Sequence, residues 1–345
     1  MDGPFCEKVD SIDSLYSVIE DIGAGAYGSV QKCLEKASNK TIALKKIKQF
    51  KADDAFPPNT IREVALLQKL KHENIIKLRK VLYCSGDSTV YLVFDFCEYD
   101  LSALLYHHKN ASLSHAFIKT MIIQFLLVLE FLDTNNVAHR DLKPSNMLIT
   151  RNNILKLADF GLAREIIENA HLSDKVITQW YRPPELFLGA RKYGTEVDIW
   201  STGCIIYELI ASPVYRKPLF QSPTNNDIEQ LKRIFLVCGT PSDDWKGWLS
   251  LPNAQIASSI LPQDPQIRKY FDERIDPEFR DLIPLLNQML VLDPSKRIKA
   301  SAALQDPSIL KICQSYDPWK MNPLSIPEIH ELRNNQNKDP RKNVE

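Results

Sequence analysis

Short runs of alternating apolar and polar residues mark the first part of the chain. "YSVIEDIG", "GSVQKCLE", "TIALKKIK" and "TVYLVFDF" combine β-branched and aromatic residues with partial period-two alternation, the pattern of half-buried strands. One helical pattern interrupts them. In "NTIREVALLQKLK", Ile61, Val64, Leu67 and Leu70 recur at helical spacing after a Pro-Pro break, with Thr60 placed to cap the start. Beyond about residue 99 the pattern changes to long helical repeats at 114–135, 195–212 and 227–239, separated by proline-rich loops. The expectation is an α+β chain in two lobes, β-rich over 16–98 and helical over 99–315. An extension at 1–15 precedes them, and a flexible tail rich in Pro, Asn and charge follows at 316–345.

The 345 residues are 44% hydrophobic and 25% charged, enough to bury a core in each lobe. Forty-three Lys and Arg balance forty-three Asp and Glu, leaving no basic excess to draw the chain to nucleic acid or anionic lipid. The most apolar stretch, "FIKTMIIQFLLVLEFL" at 117–132, is interrupted by Lys119, Gln124 and Glu130 and is short for a membrane span. It reads as a core helix, and no membrane partner is expected. Seven cysteines contain no C-x-x-C pair, and the polar, acidic N-terminus lacks a secretory pattern, so a reducing compartment, cytoplasm or nucleus, is the expected address.

"GAGAYGSV" at 23–30 places Gly23, Gly25 and Gly28 in a spacing that lets backbone N–H groups approach a polyphosphate. Dinucleotide-binding folds use nearly the same spacing, but there the loop opens a helix, whereas "SVQKCLEKA" carries no helix start signal. Downstream, "IALKKIK" puts Ala43 and Lys45 on a strand, and Glu63 lies on the helix that follows. A lysine held by a carboxylate is positioned to grip nucleotide phosphates. Thr60 and Glu63 equally match a capping box, in which Glu63 would satisfy an amide at the helix start. "HRDLKPSN" at 139–146 then supplies Asp141 and Asn146, and "DFG" at 159–161 supplies Asp159. Moving a γ-phosphoryl group to a hydroxyl needs a carboxylate near the acceptor and oxygen ligands for magnesium, roles that suit Asp141, then Asn146 and Asp159.

The ordered series of glycine loop, lysine, glutamate, "HRDLKPSN", "DFG" and "PPE" resembles the eukaryotic protein kinases over about residues 16–310. The resemblance implies the bilobal protein kinase fold, ATP and magnesium as cofactors, and catalysis by Asp141 and Lys143 with Lys45 and Glu63. It implies an ATP site of Ile22, Gly23, Gly25, Gly28, Val30, Ala43 and Lys45, with Phe94 as gatekeeper, Asp95 to Cys97 as hinge and Asp100 at the ribose rim. Asn146 and Asp159 would hold the metal. Lys143 matches the serine/threonine-directed pattern and not the tyrosine-directed one. Asp198, and Glu185 with Arg297, correspond to bracing residues.

"PNTIREV" at 58–64, "DFGLAR" at 159–164 and "TQWYRPPEL" at 178–186 narrow the resemblance to the cyclin-dependent kinases. That branch implies a cyclin or cyclin-like activator and substrates with Ser/Thr-Pro, Arg182 standing where the proline is favoured. Arg62, Arg140 and Arg164 correspond to the cluster that receives a phosphorylated activation-loop residue, for which Ser173 is the candidate. Tyr27 is the phosphorylatable residue left at the glycine-loop tip, since Ala26 replaces the usual threonine. "NNDIEQL" and "LGARKY" most resemble the cell-cycle-related kinase subgroup, associated with cilia and with phosphorylating other kinases. A pseudokinase scaffold that binds a cyclin-like partner is the alternative, and the intact set of Lys45, Asp141 and Asp159 argues against it.

Overall fold

The computed structural model describes residues 6–25, 28–47, 57–106, 113–168, 170–224, 226–260, 262–315 and 317. Tyr27, Ala26 and nearly all of the 316–345 tail lie outside the described residues.

Strands β1 (Glu7–Val9), β2 (Tyr16–Gly25), β3 (Gly28–Glu35) and β4 (Lys40–Ile47) precede helix α1 (Pro58–Lys69), and β5 (Leu78–Cys84) and β6 (Thr89–Asp95) follow it. They form one six-stranded sheet in the order β1-β5-β6-β4-β3-β2, antiparallel except where β1 runs parallel to β5. Within the 1–15 extension, the described residues pack on this sheet. Residues 7–9 complete the sheet edge, and Ile12 packs with Tyr16, Cys33, Leu44 and Leu82 in a second, outer core. The other sheet face lies over α1, whose Val64, Leu66 and Leu67 are buried.

Helix α1 starts differently from the sequence expectation. Its N-cap is Pro57, with Pro58 in the first turn where the missing N–H is no loss, and Thr60 is buried within the helix and caps nothing. Glu63 is thereby freed from capping.

A short strand β7 (Tyr99–Asp100) and helix α2 (Leu101–Tyr106) lead into the helical lobe, which is built on α3 (His115–Thr134). Strands β8 (Val137–Ala138), β9 (Met147–Ile149), β10 (Leu155–Leu157) and β11 (Arg164–Glu165) carry the intervening loops. Then come α4 (Pro184–Phe187), α5 (Glu196–Ile210), α6 (Asp227–Cys238), α7 (Ala254–Ser258), α8 (Ile267–Arg274), α9 (Ile283–Met289), α10 (Ala300–Leu304) and α11 (Pro307–Ser315). Helix α3 is long and apolar enough to cross a membrane, yet Met121, Ile122, Phe125, Leu126 and Val128 are wholly enclosed by the lobe, which explains its composition. Small sheets β10-β9-β7 and β11-β8 fasten the loops that carry chemistry to this scaffold.

Glu208 of α5 is fully buried and accepts hydrogen bonds from the hydroxyls of Tyr106 and Tyr181. Burial pushes its pKa up to about 8, against the downward pull of the two tyrosines. The folded chain thus holds a proton that the unfolded chain, with glutamate near its ordinary value of about 4.3, has lost. Stability is expected to fall by about 1.4 kcal/mol per pH unit across that window and to level off above it. Glu208→Gln keeps an acceptor for the tyrosines and removes the titration. Urea denaturation from pH 5 to 8 should show the decline in the wild type and a flatter profile in the variant.

Candidate active site

The site lies between the lobes and is assembled from the six-stranded sheet and α1 on one side and from loops that the two small sheets hold on the other. Gly25 pairs with Gly28 across the β2–β3 turn, Gly23 pairs with Val30, and Val30 pairs with Lys45 on β4. At Gly28 a Cβ would sit 1.8 Å from the Lys46 carbonyl oxygen, so only glycine fits there. The glycine run is therefore a hairpin over the cleft, followed by a strand. Ile22 is half-buried on β2.

Lys45 reaches α1. Its Nζ lies 2.9 and 2.8 Å from the two Glu63 carboxylate oxygens and 3.8 Å from Asp159 Oδ1. Burial works to lower the Lys45 pKa, but Glu63 and Asp159 outweigh it and the net shift is upward. The ammonium stays charged and aimed between the lobes. Asp159 adopts a left-handed backbone (φ 63°) that turns its partly exposed carboxylate toward this lysine, and the turn Phe160–Leu162 after it packs on α1.

Asp141 is buried, and its carboxylate is held from three sides. Lys143 Nζ lies 2.7 Å from Oδ2, Asn146 Nδ2 donates to Oδ2 at 3.2 Å and Thr178 Oγ1 donates to Oδ1 at 3.0 Å. Lys143 also reaches Thr178 Oγ1 at 3.2 Å. The loop is fixed from below, where Asp198 accepts the His139 and Arg140 backbone N–H groups at 2.6 and 3.0 Å. Asp198 thus acts as a brace. So does the wholly buried pair Glu185 and Arg297, with two contacts of 2.6 Å.

At the back of the cleft, Phe94 on β6 pairs with Ala43 on β4. Asp95 ends β6, and Cys97 beyond it has its thiol pKa pushed up to about 12 by burial, which leaves it neutral. Asp100, expected at the ribose rim, also has a structural role. It is buried, and its Oδ1 accepts from Ser102 Oγ at 2.6 Å and from the Ala103 N–H at 2.9 Å, which caps α2.

Arg62, Arg140 and Arg164 come together. Burial, then the charges of Arg140 and Arg62, bring Arg164 down to about 10, and burial followed by Arg140 lowers Arg62. The three guanidinium groups thus lie close enough to repel one another. Ser173 is exposed, and its backbone carbonyl accepts from Tyr193, which in turn accepts from Arg140. Arg182 donates through Nε to the Val176 carbonyl at 2.8 Å and through Nη2 to the Ile177 carbonyl at 3.0 Å. Ile177 has φ 65°, an uncommon conformation for a β-branched residue, and it turns that carbonyl toward Arg182.

Thr178, Ile177 and Tyr193 are site residues that sequence reasoning did not single out. Thr178 stood in the quoted "TQWYRPPEL" as a landmark only. Its contact with Asp141 spans 37 positions, and no local pattern signals it.

Comparison with known proteins agrees with this geometry. The protein kinase domain model matches residues 16–309. The chain is 38% identical over 318 residues to the serine/threonine-protein kinase ppk23 of Schizosaccharomyces pombe, covering 91% of this chain and 77% of that protein. Its fold matches a chain in the crystal structure of the yeast RNA Pol II CTD kinase CTDK-1 complex with a TM-score of 0.79 and 33% identity, covering 90% of this chain and 96% of that one. With the lysine, the carboxylates and the threonine-directed Lys143 all in one cleft, the chain belongs to the protein kinase family, as a serine/threonine protein kinase.

Proposed function

We propose that the chain is a proline-directed kinase of the cyclin-dependent branch, acting on Ser/Thr-Pro protein substrates with a cyclin or cyclin-like protein on α1. Magnesium ATP, when bound, supplies the phosphoryl group and the cation that neutralises its charge. The residues present fit it. Among the described residues no three His, Cys, Asp or Glu side chains converge on a cation. Magnesium bound with a nucleotide needs only one or two protein oxygens, the rest being phosphate and water. Asn146 commits its amide NH2 to the Asp141 backbone and side chain, which leaves its oxygen for a metal, and Asp159 presents an exposed carboxylate. Lys45 would hold phosphate oxygens, the β2–β3 hairpin would cover them, and Asp141 would orient the acceptor hydroxyl and receive its proton.

The observation that carries the proline reading is the Ile177 carbonyl. With that oxygen engaged by Arg182, the residue after the acceptor finds no backbone acceptor for its N–H. Proline has none to lose, whereas any other residue leaves an amide desolvated at about 1–3 kcal/mol. Matched Ser-Pro and Ser-Ala peptides should therefore differ by roughly ten- to a hundredfold in kcat/KM. Arg182→Ala should shrink that ratio chiefly by raising activity on Ser-Ala relative to Ser-Pro. Equal use of both peptides by the wild type would overturn the reading.

Support for a partner comes from α1, which exposes Ile61 and is tied by Lys69 to Glu165 on β11 at 2.5 Å, so that pressure on the helix reaches the segment after Asp159. The yeast kinase of similar fold was crystallised as a complex. The arginine cluster supports phosphate capture from Ser173 through charge-assisted hydrogen bonds. Seven free cysteines suit the cytoplasm or nucleus. The subgroup reading, with other kinases as substrates and a ciliary location, rests on "NNDIEQL" and "LGARKY" alone.

A further inference from the structure

We propose that Tyr193 is a positioning residue whose hydroxyl pins the activation segment to the catalytic-loop arginine before any phosphate is added. The hydroxyl stands between two partners. Arg140 Nη1 donates to it at 2.9 Å, and it donates to the Ser173 carbonyl at 2.5 Å. The same arginine donates through Nε to the Leu162 carbonyl at 2.8 Å, and its backbone N–H is held by Asp198. One short chain of hydrogen bonds thus joins the middle of the activation segment to the residue preceding Asp141.

Neighbouring contacts reinforce the pin. The Leu172 N–H donates to the Arg191 carbonyl at 2.8 Å, and Arg191 Nε lies 3.9 Å from Asp174 Oδ1. Residues 191–193 therefore hold 172–174 on both sides of Ser173, through one backbone hydrogen bond, one ion pair and the Tyr193 hydroxyl, none of which uses the Ser173 side chain. Arg140 itself has φ 64°, a conformation that an arginine keeps only when its surroundings hold it. Tyr193 is buried, and burial raises its pKa, so the hydroxyl stays protonated and able to donate.

The consequence is a loop with two inputs to one guanidinium, a permanent hydroxyl and an optional phosphate. Phosphate would add to an open loop that already exists, and activity would be graded by it instead of switched. This inference rests on the reading of the chain as an active kinase using Asp141.

The test uses full-length chain verified by mass to carry no phosphate, as wild type, Tyr193→Phe and Ser173→Ala. Two readouts are taken: kcat/KM on the Ser-Pro peptide, and hydrogen exchange of the amides of 172–176 relative to those of α5. Tyr193→Phe deletes both hydrogen bonds and should lower kcat/KM on the order of tenfold, with faster exchange confined to 172–176, beginning at the Leu172 amide. Ser173→Ala keeps the carbonyl and removes only the acceptor of the Lys175 N–H at 3.3 Å. It should therefore match the unphosphorylated wild type in kcat/KM and in exchange at every amide of 172–176 except that of Lys175. Unchanged exchange in Tyr193→Phe, or acceleration spread equally over α5, overturns the pin. So does a loss in Ser173→Ala as large as that in Tyr193→Phe. If the wild type transfers no phosphate, alone or with candidate cyclins, the kinase reading fails, and the exchange comparison still decides the role of Tyr193.

Discussion

Asp141→Asn is expected to lower kcat by about a hundred- to ten-thousandfold while leaving ATP affinity close to that of the wild type. The separation follows from geometry. Asp141 takes its hydrogen bonds from Lys143, Asn146 and Thr178, whereas the nucleotide grip belongs to Lys45, Glu63 and Asp159 across the cleft. Asparagine nearly matches the carboxylate in shape, but it presents a donor where an acceptor is required and removes the charge opposite the Lys143 ammonium, 2.7 Å away. The acceptor hydroxyl then lacks both its orienting oxygen and a destination for its proton. Steady-state phosphorylation together with nucleotide titration by fluorescence separates the two effects. A comparable loss of ATP affinity would mean that Asp141 serves the nucleotide, contrary to this assignment.

Arg297→Ala should destabilise the helical lobe by about 3–5 kcal/mol, because it leaves a buried carboxylate without its partner. All five guanidinium N–H groups are engaged: two with Glu185, one each with the carbonyls of Glu196, Leu292 and Val291. The guanidinium also lies 5.0 Å from the centre of the buried Trp200 ring. Glu185 belongs to α4, which closes the activation segment, so the pair ties that segment to the loop before α10. Lysine keeps the charge but has three donors and no planar fork, and Arg297→Lys should recover only part of the loss. Urea midpoints for the three proteins measure this directly, and a midpoint for Arg297→Ala within error of the wild type would remove the brace from the account.

Much of the site could be read from the chain because its parts are local. Lys45, Asp141, Asn146 and Asp159 sit in short stretches whose order carries the meaning, and β2, β3, β4, β6, α3, α5 and α6 follow from periodicity over seven residues or more. What escaped depends on distant partners. Strand β1 is three residues long and exists only because β5 offers an open edge. Thr60 fits a cap by type, yet the proline at 57 starts the helix earlier and Glu63 turns to Lys45, the alternative that periodicity could not decide. The cap that Asp100 places on α2 was not read from the sequence, because a rim residue and a helix cap look alike there. Ile177 and Tyr193 act through a backbone angle and a hydroxyl bridge, neither of which leaves a mark on composition.

The most direct test of the central claim is transfer of the γ-phosphate from magnesium ATP to a Ser-Pro peptide, with ATP binding measured in the same preparation, alone and with candidate cyclins. The account predicts phosphoserine in the peptide, its rate raised by a fitting partner and lowered at least about a hundredfold by Asp141→Asn. Tight ATP binding with no transfer under any of these conditions would contradict it and leave the chain as a nucleotide-binding scaffold.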